Sequence, residues 1–256
     1  MLDKETLLAT HAHRHVPLEG ACNVRDMGGL PTADGRRTRP GVLYRSDTLA
    51  HLSPADHARL HELELRAIVD LRSEGERARA PDRLPQSLPL ALHNPGFIPR
   101  GNVEMFTAIN AGEMSAEDAA EAMIDQYRNL TLDHCAEYRA FLSALLAPGQ
   151  RPLLFHCASG KDRTGIAAAI VLLALDVPRE WVIQDYVISN YQRRPIDLFT
   201  HGAAGPAVEQ VMAADPRYIE AALHSMVEAF GSVDAYLSEA GADREARRHL
   251  RDVLLD

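Results

Sequence analysis

The chain has 256 residues, 46% hydrophobic and 25% charged, which supports a folded domain with a sizeable core and argues against disorder. A formal net charge of −9 argues against a general nucleic-acid or anionic-membrane binder. Three cysteines, Cys22, Cys135 and Cys157, are too few for a disulfide framework and fit a reducing compartment.

The N-terminal "MLDKETLLATHAHRH" lacks the apolar core of a secretory signal, and no apolar window reaches membrane-span length. A cytoplasmic location without integral membrane association is therefore expected. His11, His13 and His15 alternate, but a flexible N-terminal segment gives them nothing to orient against, so no metal is assigned. "RDMGGLPTADGRRTRPG" reads as a hairpin or irregular loop in which Asp26 caps the turn of its two glycines. "VLYRS" (42–46) is a short strand, and Ser53, Pro54 and Asp56 open a helix running to about Leu63. "RAIVDLRS" (66–73) is a buried strand. Arg45 and Arg72 end these two strands and are expected to form structural pairs. The stretch from Leu84 to Gly112 has no clear period. Ser115 and Asp118 form a capping box that opens a helix toward Leu130. Leu132, Cys135, Tyr138, Leu142 and Leu145 make the apolar stripe of another helix, which Pro148 and Gly149 end. "PLLFH" (152–156) is a strand, followed by a loop and a helix from about Arg163 to Leu175. Pro178 and Pro216 open helices that stop near Asn190 and before Gly231, and Ser232 and Asp243 cap the last two. The pattern is α/β, a single domain over residues 1–256, with its key loop at a strand's C-terminal end, where such sheets place ligands.

That loop is "HCASGKDRTG". Five residues separate Cys157 from Arg163, and Thr164 follows. Backbone N–H groups from Ala158 to Arg163 can turn inward as an anion nest, and the following helix adds its positive end. The Arg163 fork can grip two phosphate oxygens, and Gly160 permits a turn that a side chain would obstruct. The same positive field favours a thiolate at Cys157. Thr164 can donate to that sulfur, and His156 can help to hold the loop. Ala158, Ser159, Gly160, Lys161, Thr164 and Gly165 are the expected substrate-binding set. Thiolate attack on a phosphate monoester gives a phosphocysteine that water clears, without metal or cofactor. Asp162 is the nearest acid for the leaving group; Asp26, Asp47 and Asp70 are outside candidates, and Asp162 could instead pair with Arg45 or Arg72. Sulfur transfer fits less well, because its loops usually lack this spacing and threonine. Thiol-based arsenate reduction needs an N-terminal loop and resolving cysteines. A phosphate-binding module without turnover would usually have lost the nucleophile or the clamp.

"HCASGKDRTG" resembles the signature of cysteine-dependent phosphatases, and "GKDRTG" that of the atypical bacterial protein-tyrosine phosphatases of the mycobacterial PtpB and Listeria LipA type. "NVRDMGGLPTADGRRTRPGVLYRS", "AIVDLRSEGE", "DYVISN" and "YIEAALHSMVEAFGSVDAYL" are similar to further blocks of that family, so the resemblance spans nearly the whole chain. It implies a protein-tyrosine-phosphatase-like sheet flanked by helices, with a helical lid-like insertion placed at about 84–130. It implies activity on phosphotyrosine, sometimes phosphoserine or phosphothreonine, and phosphoinositides. Carried over by position, Cys157 is the nucleophile, Arg163 the clamp and Asp162 the general acid. Lys161 is the extra cation associated with lipid phosphates. The expected partners are a phosphorylated protein or a phosphoinositide.

Overall fold

Residues Arg25–Asp26 (β1), Leu43–Ser46 (β2), Ala67–Asp70 (β3), Ala91–His93 (β4) and Leu153–His156 (β5) form one sheet in the order β1-β2-β5-β3-β4. The structure, a computed structural model, describes residues 2–194, 199 and 205–256. Strands β2, β5, β3 and β4 are parallel, and β1 closes one edge antiparallel to β2. Side chains alternate across the pleat. Leu43, Ala67, Val69, Leu153 and Phe155 enter one apolar cluster, while Tyr44, Ile68 and Leu154 enter another on the opposite face. Burial on both faces is why these strands read as apolar runs rather than as alternating ones.

Helices cover the sheet. Lys4–His11 (α1) is capped by Asp3 and continues as a 3-10 turn over Ala12–Arg14. The N-terminus is thus docked rather than flexible: Leu7, His11 and Arg14 are buried. Pro54–Glu62 (α2) carries the expected capping box at Ser53. Glu74–Arg79 (α3) has its own box, Ser73 with Glu76. Asn102–Asn110 (α4) precedes Ala116–Leu132 (α5) and Cys135–Leu146 (α6). Asp162–Ala174 (α7) is buried from Arg163 through Leu172, as a helix that is apolar all round must be. Arg179–Val187 (α8) and Ser189–Gln192 (α9) follow. Gly205–Met212 (α10), Pro216–Phe230 (α11), Val233–Glu239 (α12) and Arg244–Leu254 (α13) complete the shell.

The α/β reading therefore stands, with a central sheet flanked by helices. Besides α1 and α10, three further elements were not expected. The apolar run of β3 ends at Asp70, and Ser73 turns the chain into α3. Strand β4 is a half-exposed edge of three residues, too short to show a period. Helix α4 begins at Gly101, whose φ is 80°, with no side-chain cap to announce it. Among the described residues, no helix is long and apolar enough to cross a membrane.

Candidate active site

Strand β5 delivers Cys157 to the sheet's C-terminal edge at 1% exposure, and α7 starts five residues later. Between them the loop turns back at Gly160, whose φ is 66°. A Cβ there would stand 2.5 Å from the Ser46 carbonyl oxygen, so only glycine fits. Carbonyls in this loop are held from outside. The Asn23 side-chain amide donates to the carbonyls of Ser159 (3.2 Å) and Gly160 (3.0 Å), and Arg45 Nη2 donates to Gly160 at 2.7 Å. The backbone of Thr48 donates to the Ala158 carbonyl. The N–H groups of Ala158, Ser159 and Gly160 are left without a protein acceptor among the described residues. Carbonyls tied outward and amides free is the electrostatic pattern of an anion nest.

Arg45 and Asn23 are themselves braced. Arg45, Arg25 and Arg14 all donate to the carboxylate of Asp185, with side-chain exposures of 0–1%. Arg25 also donates to the Asn23 side-chain oxygen. Three guanidiniums converge on one carboxylate, and each charge bears on the protonation of the others. Burial and the neighbouring Arg45 pull Arg25 down to about 9, while the guanidiniums outweigh burial and hold Asp185 well below the ordinary carboxylate range.

Arg163 sits in the first turn of α7 and is held by α3. Its Nη1 and Nη2 each donate to Glu76 at 2.7 Å as a bidentate pair, and Nη1 also reaches the carbonyls of Leu71 and Phe97. Gly96 makes the last contact possible, because a Cβ on it would lie 1.7 Å from the Arg72 carbonyl oxygen. Burial alone would raise the Glu76 carboxyl; Arg163 overrides that and holds it at about 2. The Arg163 Nε and the second Nη2 proton have no protein acceptor among the described residues, which leaves one edge of the fork open.

Asp162 and Lys161 are joined. Asp162 Oδ1 accepts from the Tyr127 hydroxyl at 2.7 Å and lies 3.2 Å from Lys161 Nζ. Lys161 is 5% exposed, and its ammonium also donates to the carbonyls of Val211 and Ala213 at the end of α10. Its three protons are thus committed, and burial pushes it below its ordinary value. Expected as an extra cation for a second phosphate, Lys161 instead fastens α10 to the loop. Thr164 is fully buried, and its hydroxyl has no partner among the described residues, so the expected bond to the Cys157 sulfur is not made. Gly165 lets α7 approach Tyr186, whose ring would be 3.1 Å from an added Cβ. His156 donates from Nδ1 to the Cys157 carbonyl at 3.2 Å, and its Nε2 faces Asp82. Burial opposes its charged form, but Asp82 and Asp70 prevail and raise it above the ordinary imidazole range.

A cleft of about 360 Å³ opens over the loop. Ala158, Ser159, Lys161, Asp162 and Arg163 line it, below walls that include Ile98, Val103 and Phe106 on one side and Val211 and Met212 on the other. One wall comes from the segment expected to act as a lid. The other, from α9 and α10, was not expected. Asp26, Asp47 and Asp70 do not line the cleft. Asp26 accepts from the amides of Gly28 and Gly41, Asp47 from the Cys22 amide and Arg194, and Asp70 from Arg72. Burial pushes Asp47 up to about 7 against the pull of Arg194. Arg45 and Arg72 are in structural pairs, as expected, and neither takes Asp162. His11 is buried against Arg14 and Gln184, while His13 and His15 are exposed. Cys135 is half-buried against the core and donates to the Thr131 carbonyl.

Glu76, Asn23, Asp185 and Tyr127 carried no role in the sequence reading. A signal existed for Glu76, the acidic end of the Ser73 capping box.

Residues 16–256 match the tyrosine phosphatase family. The triple specificity protein phosphatase PtpB of Mycobacterium tuberculosis is 32% identical over 278 residues, covering 93% of this chain and 98% of the relative. A tyrosine-protein phosphatase of Nostoc commune is 26% identical over 228 residues, covering 82% of this chain and 73% of the relative. Among solved structures, TpbA of P. aeruginosa aligns with a TM-score of 0.35 and 17% identity over 73% of this chain and 90% of that one. Since the family match runs from the segment bearing Asn23, through the loop, to the last helix, the chain belongs to the tyrosine phosphatase family and is a protein-tyrosine phosphatase.

Proposed function

We propose that the enzyme hydrolyses phosphate monoesters through a phosphocysteine on Cys157. One observation carries the reading: free amides and the open edge of a fixed guanidinium surround the single cysteine at the mouth of β5. The amides of Ala158–Gly160 and the free donors of Arg163 hold the equatorial phosphate oxygens, where negative charge persists through phosphoryl transfer. The Cys157 sulfur attacks phosphorus in line; the S–P bond forms as the P–O bond to the leaving group breaks. Asp162 gives its proton to the departing oxygen. In the second half, Asp162 takes a proton from water, the water oxygen bonds to phosphorus, and the thiolate leaves.

The lining of the cleft supports a substrate class. Ile98, Val103 and Phe106 offer an apolar wall to the ring of phosphotyrosine. Activity on phosphoserine, phosphothreonine and phosphoinositides is proposed as well. Two exposed arginines on the cleft, Arg79 and Arg193, rather than the committed Lys161, are the cations that would meet a second phosphate. We read the chain as one catalytic domain in which 84–130 forms one half of a lid. A nucleophilic thiolate also suits the reducing, cytoplasmic setting expected from the sequence.

The test is hydrolysis of 4-nitrophenyl phosphate. Turnover unaffected by a chelator, inhibited by vanadate and reduced at least about a thousandfold in Cys157→Ser supports the reading. Equal turnover by Cys157→Ser ends it.

A further inference from the structure

We propose that Tyr127 is the positioning residue of the acid step, turning Asp162 so that Oδ2 carries the transferred proton. This rests on the reading of Asp162 as the general acid. The two carboxyl oxygens are not equivalent. Oδ1 accepts from the Tyr127 hydroxyl at 2.7 Å and faces the Lys161 ammonium at 3.2 Å, whereas among the described residues the donor at Oδ2 is the Ser159 hydroxyl, at a long 3.4 Å. A proton placed on Oδ1 would displace one of two good donors; a proton on Oδ2 displaces little. Oδ2 is therefore the oxygen that delivers a proton to the leaving oxygen and later takes one from water.

Tyr127 is suited to orient rather than to exchange protons. It is fully buried on α5, and its hydroxyl lies 2.7 Å from that of Tyr186 on α8. Because its own proton points at Asp162, it must accept from Tyr186, which fixes the direction of both bonds. Burial first, and the negative Asp162 next, raise both phenols well above their ordinary values, so they stay neutral donors through the working range. The pair ties the acid to α5 and α8, two helices that both pack on the loop helix. Tyr186 also follows Asp185, which holds Arg45 on the Gly160 carbonyl, so loop and acid share one brace.

The experiment is kcat/KM for Tyr127→Phe over a series running from activated aryl phosphates to alkyl phosphates. Leaving groups that depart unaided do not need the proton; alkoxides do. The expected result is a loss within about threefold for 4-nitrophenyl phosphate but of about tenfold or more for an alkyl phosphate. Asp162→Asn should show the same bias, only larger, and the double variant should be no worse than Asp162→Asn alone. Tyr127→Phe with equal losses across the series, or additive with Asp162→Asn, overturns the proposal while leaving the acid reading intact. Asp162→Asn without leaving-group bias overturns the acid reading itself. If Tyr127→Phe does not fold, Tyr186→Phe is used. It keeps the Tyr127 donor but frees its hydroxyl to turn, so a weaker bias of the same sign supports the proposal and none overturns it.

Discussion

At residue scale, the loop works because its carbonyls are claimed by others. Asn23 takes two of them from a backbone with φ of 55°, a conformation asparagine tolerates better than most residues, and its own oxygen is claimed by Arg25. Asn23→Ala should let these peptides rotate and cost about a hundredfold in kcat/KM, a magnitude typical of losing oxyanion donors, with vanadate affinity falling in parallel. Unchanged vanadate inhibition would show that Asn23 does not shape the cradle. Glu76 makes a second prediction. Its carboxyl is held at about 2 against an ordinary 4.5, so the native state favours its charged form. A depressed acid contributes stability that is full above its unfolded value and is lost as pH falls toward its folded one. Between pH 4.5 and 2 the wild type should lose stability more steeply than Glu76→Gln, read from urea midpoints. Parallel curves would contradict the pairing. The loop was legible because its chemistry is consecutive, Cys157 through Arg163. Glu76 and Asn23 stand 87 and 136 positions from the loop residues they hold, and no local pattern encodes that juxtaposition.

At the scale of elements, Lys161 decides how the cleft is built. Its ammonium joins the loop to the last carbonyls of α10, where the helix's negative end favours a cation, and Asn190 secures the same end through both bonds to Ala214. Lys161→Met should free α10, raising amide exchange over residues 207–214 and lowering kcat/KM on phosphotyrosine and phosphoinositide substrates alike, by roughly tenfold. A loss confined to phosphoinositides would restore Lys161 as a second-phosphate ligand. The sequence announces helices that carry caps: Ser53, Ser115, Asp215, Ser232 and Asp243 each accept from the first turn they precede. Helix α4 has no such cap and was not read as a helix, although its segment was expected to form a lid; α1 and α3 carry caps at Asp3 and Ser73 and were missed all the same.

At the scale of the whole molecule, a chain of net charge −9 buries a knot of three arginines around Asp185 beneath its anion loop. That knot joins the 3-10 turn after α1 (Arg14), β1 (Arg25), β2 (Arg45) and α8, so it links the N-terminal segment to a helix that follows the loop. The surplus positive charge also faces the loop that must hold a phosphate. Removing the carboxylate of a buried pair costs about 3–5 kcal/mol, so Asp185→Asn should lower Tm by roughly 10 °C. A shift under about 2 °C would mean the guanidiniums satisfy one another through other groups. The three central strands and most of the longer helices were readable because apolar runs and caps are local. The charge knot was not, since Arg14, Arg25 and Asp185 look like ordinary surface charges in the sequence and nothing there names Asp185 as the partner of Arg45.

The central claim is that a phosphoryl group passes through the sulfur of Cys157. Acid quenching during turnover of a tyrosine phosphopeptide, followed by digestion and mass spectrometry, tests it directly. The account predicts a transient phosphoryl adduct on the peptide bearing Cys157, absent from Cys157→Ser. Turnover without that adduct, or a phosphoryl group on another residue, would contradict it.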